Sequence, residues 1–96
     1  NSSYKIKRIE VNPGQRLSYQ YHNKRSEVWV IIQGTGNVTL NDIERKYSKG
    51  DTILIPQGMK HRIKNTGTED TIFIEVQTGS YFGEDDIVRL DDDYNR

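Results

Sequence analysis

Apolar and polar residues alternate along this chain in short runs, and almost nowhere do apolar residues recur at helical spacing. Leu17, Tyr19 and Tyr21 alternate with Ser18, Gln20 and His22, a period-two pattern that predicts a strand with Gln20 and His22 on one face. Lys5 to Val11 reads as extended and stops at the turn Asn12-Pro13-Gly14. A further strand is predicted from Glu27 to Gln33, closed by Gly34-Thr35-Gly36. If Glu27 points inward there, Trp29 and Ile31 follow it, while Val28, Val30 and Ile32 point outward. Asn37 to Leu40 and Ile43 to Ser48 flank Asn41-Asp42, a pair suited to a tight hairpin turn. Asp51 to Ile55, His61 to Lys64 and Thr71 to Thr78 complete the strands, separated by Pro56-Gln57-Gly58 and Asn65-Thr66-Gly67. The tail after Gly83 is mixed: Ile87, Val88 and Leu90 are expected to pack back on the body, and Asp91 to Asp93 to stay solvated. Short strands at this regular spacing predict an all-β fold, a sandwich or small antiparallel barrel.

At 96 residues the chain is expected to form one domain, 1–96, with a single modest core. Only 32% of residues are hydrophobic and 29% are charged, so burial is scarce. That scarcity, with the outward set Val28, Val30 and Ile32, predicts a homodimer. Net charge is zero and the basic residues are scattered, which argues against nucleic acid or an anionic membrane as partner. Cysteine is absent, which excludes disulfides and zinc–thiolate sites. The longest apolar run, Val28 to Ile32, is far too short for a membrane span, and no signal-peptide pattern is present, so a cytoplasmic location is expected.

One cluster carries chemistry. Gln20 and His22 emerge side by side from one strand, Glu27 lies just past a short turn, and His61 follows a turn that can re-aim the chain. Imidazole, carboxylate and amide oxygen together suit zinc, iron, manganese, cobalt or nickel. By spacing alone the reading stays open, because two histidines in a small β domain are more often surface or core residues than ligands.

The wider pattern bears on that choice. Gly14, five residues, Gln20, one residue, His22, four residues, Glu27, six residues and Gly34 resemble the first cupin motif. Gly50, five residues, Pro56-Gln57-Gly58, two residues, His61, three residues and Asn65 resemble the second. More narrowly, "QYHNKRSEVWVIIQGTG", "IPQGMKHRIKN" and "IEVQTGSYFGEDDIVRLDDDY" are similar to the isomerase domain of type II mannose-6-phosphate isomerases. That domain usually forms the C-terminal part of a two-function enzyme with mannose-1-phosphate guanylyltransferase. Glutamine in place of the usual first histidine, as at Gln20, is the habit of phosphomannose isomerases.

The resemblance implies a cupin, a small antiparallel jelly-roll barrel, with a divalent metal (zinc first) on Gln20, His22, Glu27 and His61. It implies interconversion of mannose 6-phosphate and fructose 6-phosphate through a cis-enediol, with a small sugar phosphate as partner. Arg25 corresponds to the family's arginine between the second and third ligands, where it would hold the phosphate or stabilise an enediolate; otherwise it is a solvated turn arginine. Glu75 is a candidate base if its strand face is interior, and ordinary surface if not. Trp29 is expected in the core, Met59 as a gap-filler, and Lys60 and Arg62 facing outward. The family usually has histidines where this chain has Asn23, Lys24 and Val28. Val28 lies on the face opposite Glu27, whereas Asn23 and Lys24 lie at the mouth, so a non-catalytic binding cupin or a partner of a guanylyltransferase is the alternative.

Overall fold

In a computed structural model, residues 3–91 are described. Nine strands follow one another: β1 (Ser3–Val11), β2 (Tyr19–His22), β3 (Arg25–Gln33), β4 (Thr35–Leu40), β5 (Ile43–Ser48), β6 (Thr52–Ile55), β7 (His61–Lys64), β8 (Thr71–Gly79) and β9 (Ile87–Asp91). The only helical element among the described residues is a single 3₁₀ turn, Glu84–Asp86. No helix there is long and apolar enough to cross a membrane.

The strands form two antiparallel sheets, of four in the order β1-β8-β3-β6 and of five in the order β5-β4-β7-β2-β9. The fold is cupin-like, but its two sheets stay separate rather than closing into one hydrogen-bonded barrel. The Asn41-Asp42 turn joins β4 to β5 with φ of 46° and 73°, the double left-handed geometry that lets a two-residue loop match strand twist.

The tail differs from the sequence expectation. It forms β9, which pairs with β2 through Gln20–Arg89, Tyr21–Val88 and His22–Ile87. Ile87 and Val88 are part-buried, whereas Leu90 is exposed at the register shift between Tyr19 and Gln20, where it has no partner residue in the β2–β9 ladder. Asp91 ends the strand, and Asp92 and Asp93 lie outside the described residues.

Inside the sandwich the lining changes character along each strand. Trp29 and Ile31 on β3, Phe73 on β8, Ile63 on β7 and Val11 on β1 belong to one buried apolar cluster, against which Met59 packs. One register step along, the inward positions turn polar: Arg25 and Glu27 on β3, Glu75 and Gln77 on β8, His61 on β7. Trp29 stacks on Phe73 with ring centroids 4.5 Å apart, so the core ends in an aromatic floor. The polar half above that floor is where chemistry can occur.

The outer face of the four-stranded sheet is also apolar. Ile6, Val76, Val28 and Leu54 lie in one row across all four strands, and Ile74 and Val30 in the next. Tyr4 and Leu54 are among the most exposed large apolar residues described.

Candidate metal centre

Each ligand candidate is aimed by local structure. Gln20 sits opposite His61 across the β2–β7 ladder. The Pro56–Gly58 turn is fastened to β2 by the Gly58 N–H, which donates to the His22 carbonyl at 2.7 Å. That link sets where β7 begins and therefore where His61 projects. Between β2 and β3 the chain reverses at Asn23 and Lys24, whose N–H groups both donate to the carboxylate of Asp86, at 3.2 and 2.9 Å. The reversal brings Glu27 beside His22.

Donor atoms of His22, Glu27 and His61 all lie within 4.8 Å of one another, and all three residues are buried. His22 Nε2 is 3.2 Å from Glu27 Oε2, and His61 Nε2 is 3.9 Å from Glu27 Oε1. The His61 Nδ1 lies 3.0 Å from the Met59 carbonyl. An N–H there fixes the tautomer and turns the Nε2 lone pair inward, as in histidine sites that bind metal. Trp29 Nε1 donates to Glu27 Oε1 at 2.9 Å, locking the carboxylate from below.

Arg25 is not a solvated turn residue. It opens β3, is only 5% exposed, and its Nε donates to Glu27 Oε2 at 3.2 Å. Its Nη2 lies 3.2 Å from His22 Nε2, and Nη1 donates to the Phe82 carbonyl at 3.4 Å. The guanidinium is therefore held against the ligand cluster itself.

Electrostatics follow from this packing. Burial pushes the Glu27 carboxyl up, but the hydrogen bond from His22, the charge of His61 and the Trp29 indole outweigh it and bring the pKa down to about 2. Burial is the main reason His61 sits below its ordinary value, which favours the neutral ring a metal needs. Glu75 moves the other way: burial, then the neighbouring charge of Glu27, raise its carboxyl above the usual range. Its strand face is interior, and Gln77 donates a hydrogen bond to it.

These groups line one cavity of about 170 Å³, together with Gln20, Trp29 and, from the edge strands, Lys7, Ile87 and Arg89. Two imidazoles, a fixed carboxylate and an amide fit a divalent ion of borderline hardness. The buried His22 Nδ1 has no hydrogen-bond partner among the described residues. Lys60 faces out and pairs with Asp42 at 2.9 Å, whereas Arg62, expected to face outward, lines the cavity with its guanidinium over the Tyr19 ring at 5.3 Å.

Sequence reasoning passed over three residues that shape the site. Asp86 holds the mouth turn, yet sits in an acidic tail where nothing in the pattern distinguishes it. Gly79 allows β8 to meet β3 at Arg25: a Cβ there would lie 2.4 Å from the Lys24 carbonyl oxygen and 2.8 Å from Arg25 Cα. Lys7 had a visible signal, as a charged residue on the strand face that also carries Ile9 and Val11.

Comparison with known proteins agrees with this architecture. A conserved Klebsiella pneumoniae protein with a double-stranded β-helix domain superposes with a TM-score of 0.81 at 22% identity, over 92% of this chain and 70% of that one. The Schizosaccharomyces pombe Cnp3 cupin domain gives 0.78 at 22% identity, over 81% and 57%. Among sequences, the xanthan biosynthesis protein XanB of Xanthomonas campestris is 46% identical over 97% of this chain and 20% of its own length. The Salmonella typhimurium mannose-1-phosphate guanylyltransferase ManC is 44% identical over 97% and 19%, as is the Pseudomonas aeruginosa alginate biosynthesis protein AlgA. The chain thus spans about a fifth of the length of these curated relatives. With a profile described as mannose-6-phosphate isomerase C-terminal matching residues 1–92, the chain belongs to that family.

Proposed function

We propose that this domain interconverts mannose 6-phosphate and fructose 6-phosphate in the cytoplasm, with a divalent metal, zinc first and manganese, iron, cobalt or nickel as alternatives, held by Gln20, His22, Glu27 and His61. The observation that carries the reading is the convergence of His22, Glu27 and His61 beside a buried arginine, in a chain of this family. When bound, the metal would supply Lewis-acid polarisation of the sugar's carbonyl and hydroxyl oxygens. The chain's own residues do the rest. Glu75, buried and with its carboxyl raised toward neutrality, takes a proton from C2 of the open-chain sugar and returns it to C1. The matching proton moves between the two oxygens, so the exchange balances through a cis-enediol. Arg25 opposes the negative charge that builds on those oxygens, and it does so without reorganising because Glu27 and Phe82 already hold it. The Trp29 floor closes the cavity below.

The test is a coupled assay of fructose 6-phosphate formed from mannose 6-phosphate, after metal analysis and loading with zinc, manganese or cobalt. Turnover that chelator abolishes and metal restores is expected, and Arg25→Met and Glu75→Gln should each remove it. One observation favours a second reading, a binding cupin that serves a guanylyltransferase: Asn23 and Lys24 occupy the mouth. Saturable metal binding without turnover would select it.

A further inference from the structure

If Arg25 is committed to the ligand cluster, a phosphate must be held elsewhere. The cavity opens between the edge strands of the two sheets, β1 and β9, since both contribute lining residues. Each edge strand turns one cation toward it. In the five-stranded sheet, His61 on β7, Gln20 on β2 and Arg89 on β9 form one row across the ladder. In the four-stranded sheet, Trp29 on β3, Glu75 on β8 and Lys7 on β1 form another. The first row starts at His61 of the ligand cluster and the second at Trp29, which donates to Glu27; each reaches a positive side chain two strands away, about 10 Å at the ordinary inter-strand spacing. That span is of the order of an extended six-carbon phosphate ester. From these two rows we infer that Lys7 and Arg89 form a phosphate subsite at the cavity mouth, which takes the far end of an open-chain sugar phosphate.

The chemistry is consistent on each count. Arg89 can engage phosphate oxygens bidentately, and Lys7 adds a compact charge from the facing sheet. Glu75 stands beside Lys7 in its row, where burial raises its carboxyl above the usual range. Arg62 also lines this cavity, with its guanidinium over the Tyr19 ring. A phosphate fixed at the mouth also sets which carbons reach the cluster, so the subsite would select chain length as well as charge.

The inference rests on the isomerase reading for its substrate, but it can be tested without catalysis. Calorimetric titration of the metal-loaded domain with mannitol 6-phosphate, which has no carbonyl to isomerise, reads the subsite alone. Lys7→Met and Arg89→Met are each expected to weaken binding by about tenfold or more, with Arg89→Lys retaining part of it, while weak binding of unphosphorylated mannose is unchanged. In the turnover assay the same variants should raise KM for mannose 6-phosphate with kcat little altered. Circular dichroism of each variant shows that the fold persists. Wild-type binding that both methionine variants preserve overturns the subsite and leaves the isomerase standing. Binding that depends on Lys7 and Arg89 without any turnover upholds the subsite and removes the isomerase. Failure of the wild type to bind mannitol 6-phosphate at all overturns the subsite.

Discussion

Replacing Glu27 by glutamine tests whether the cluster is held together by charge. The carboxylate accepts from Arg25 Nε and Trp29 Nε1 and meets His22 Nε2, and it is only 3% exposed. Its pKa of about 2 against an ordinary 4.5, at about 1.4 kcal/mol per tenfold, means that the fold favours the ionised form by about 3 kcal/mol. A second route gives a similar size: removing one partner of a buried ion pair strands the other, here Arg25, at a cost of about 3–5 kcal/mol. A domain of this size has about 5–15 kcal/mol in all, so Glu27→Gln is expected to lose about a fifth or more of its stability. Urea unfolding with chelator present, followed by fluorescence of Trp29, the single tryptophan, measures this directly. Because the carboxyl is depressed in the fold, its contribution is complete above pH 4.5 and fades as the pH falls toward 2. The gap between wild type and variant should close over that window. Arg25→Met combined with Glu27→Gln removes both charges and should recover most of the loss. A deficit under about 1 kcal/mol, or a double variant no more stable than the single one, would refute the buried pair.

Gly79→Ala places a Cβ against the backbone of Lys24 and Arg25 and should cost about 2–3 kcal/mol in the same unfolding assay, with metal affinity reduced as Arg25 shifts; a neutral outcome would mean that β3 and β8 can separate there freely. Glu75→Gln should melt higher than wild type at pH 8 and no differently at pH 4. A carboxyl raised by burial and by Glu27, against the opposing charges of Lys7 and Arg25, destabilises the fold only once it ionises, so equal melting at both pH values would show that Glu75 is solvated. We also propose that a second copy of the chain covers the outer apolar face of the four-stranded sheet, a patch continuous over all four strands and roughly 400 Å² in projection. Sedimentation should give twice the 11.2 kDa chain mass, and Val28→Lys should give monomer; a monomeric wild type at high concentration would reject this.

What the sequence made legible was whatever a period of two can encode. The alternation of Glu27, Trp29 and Ile31 with Val28, Val30 and Ile32 assigns both faces of β3, and the structure places them so. Asn41-Asp42 marks its turn because only that turn needs two left-handed residues in succession. The Gln20–His22 pair faces one way for the same reason, and the cupin spacing brings Glu27 and His61 to it. Contacts that depend on the third dimension left no such trace. Whether Glu75 faced in or out was undecidable, because both faces of β8 carry apolar residues: Phe73 on one, Ile72, Ile74 and Val76 on the other. Arg25 read as a turn residue because the turn is tighter than its polar composition suggests, and Asp86, 62 residues beyond Lys24, is what tightens it. A carboxylate accepting two backbone N–H groups replaces a longer loop, brings Arg25 into the first ladder position of β3, and so converts a surface charge into a buried one. The tail therefore belongs to the site mechanically: β9 covers Gln20 from one side, and the turn before it holds the mouth that Asn23 and Lys24 form.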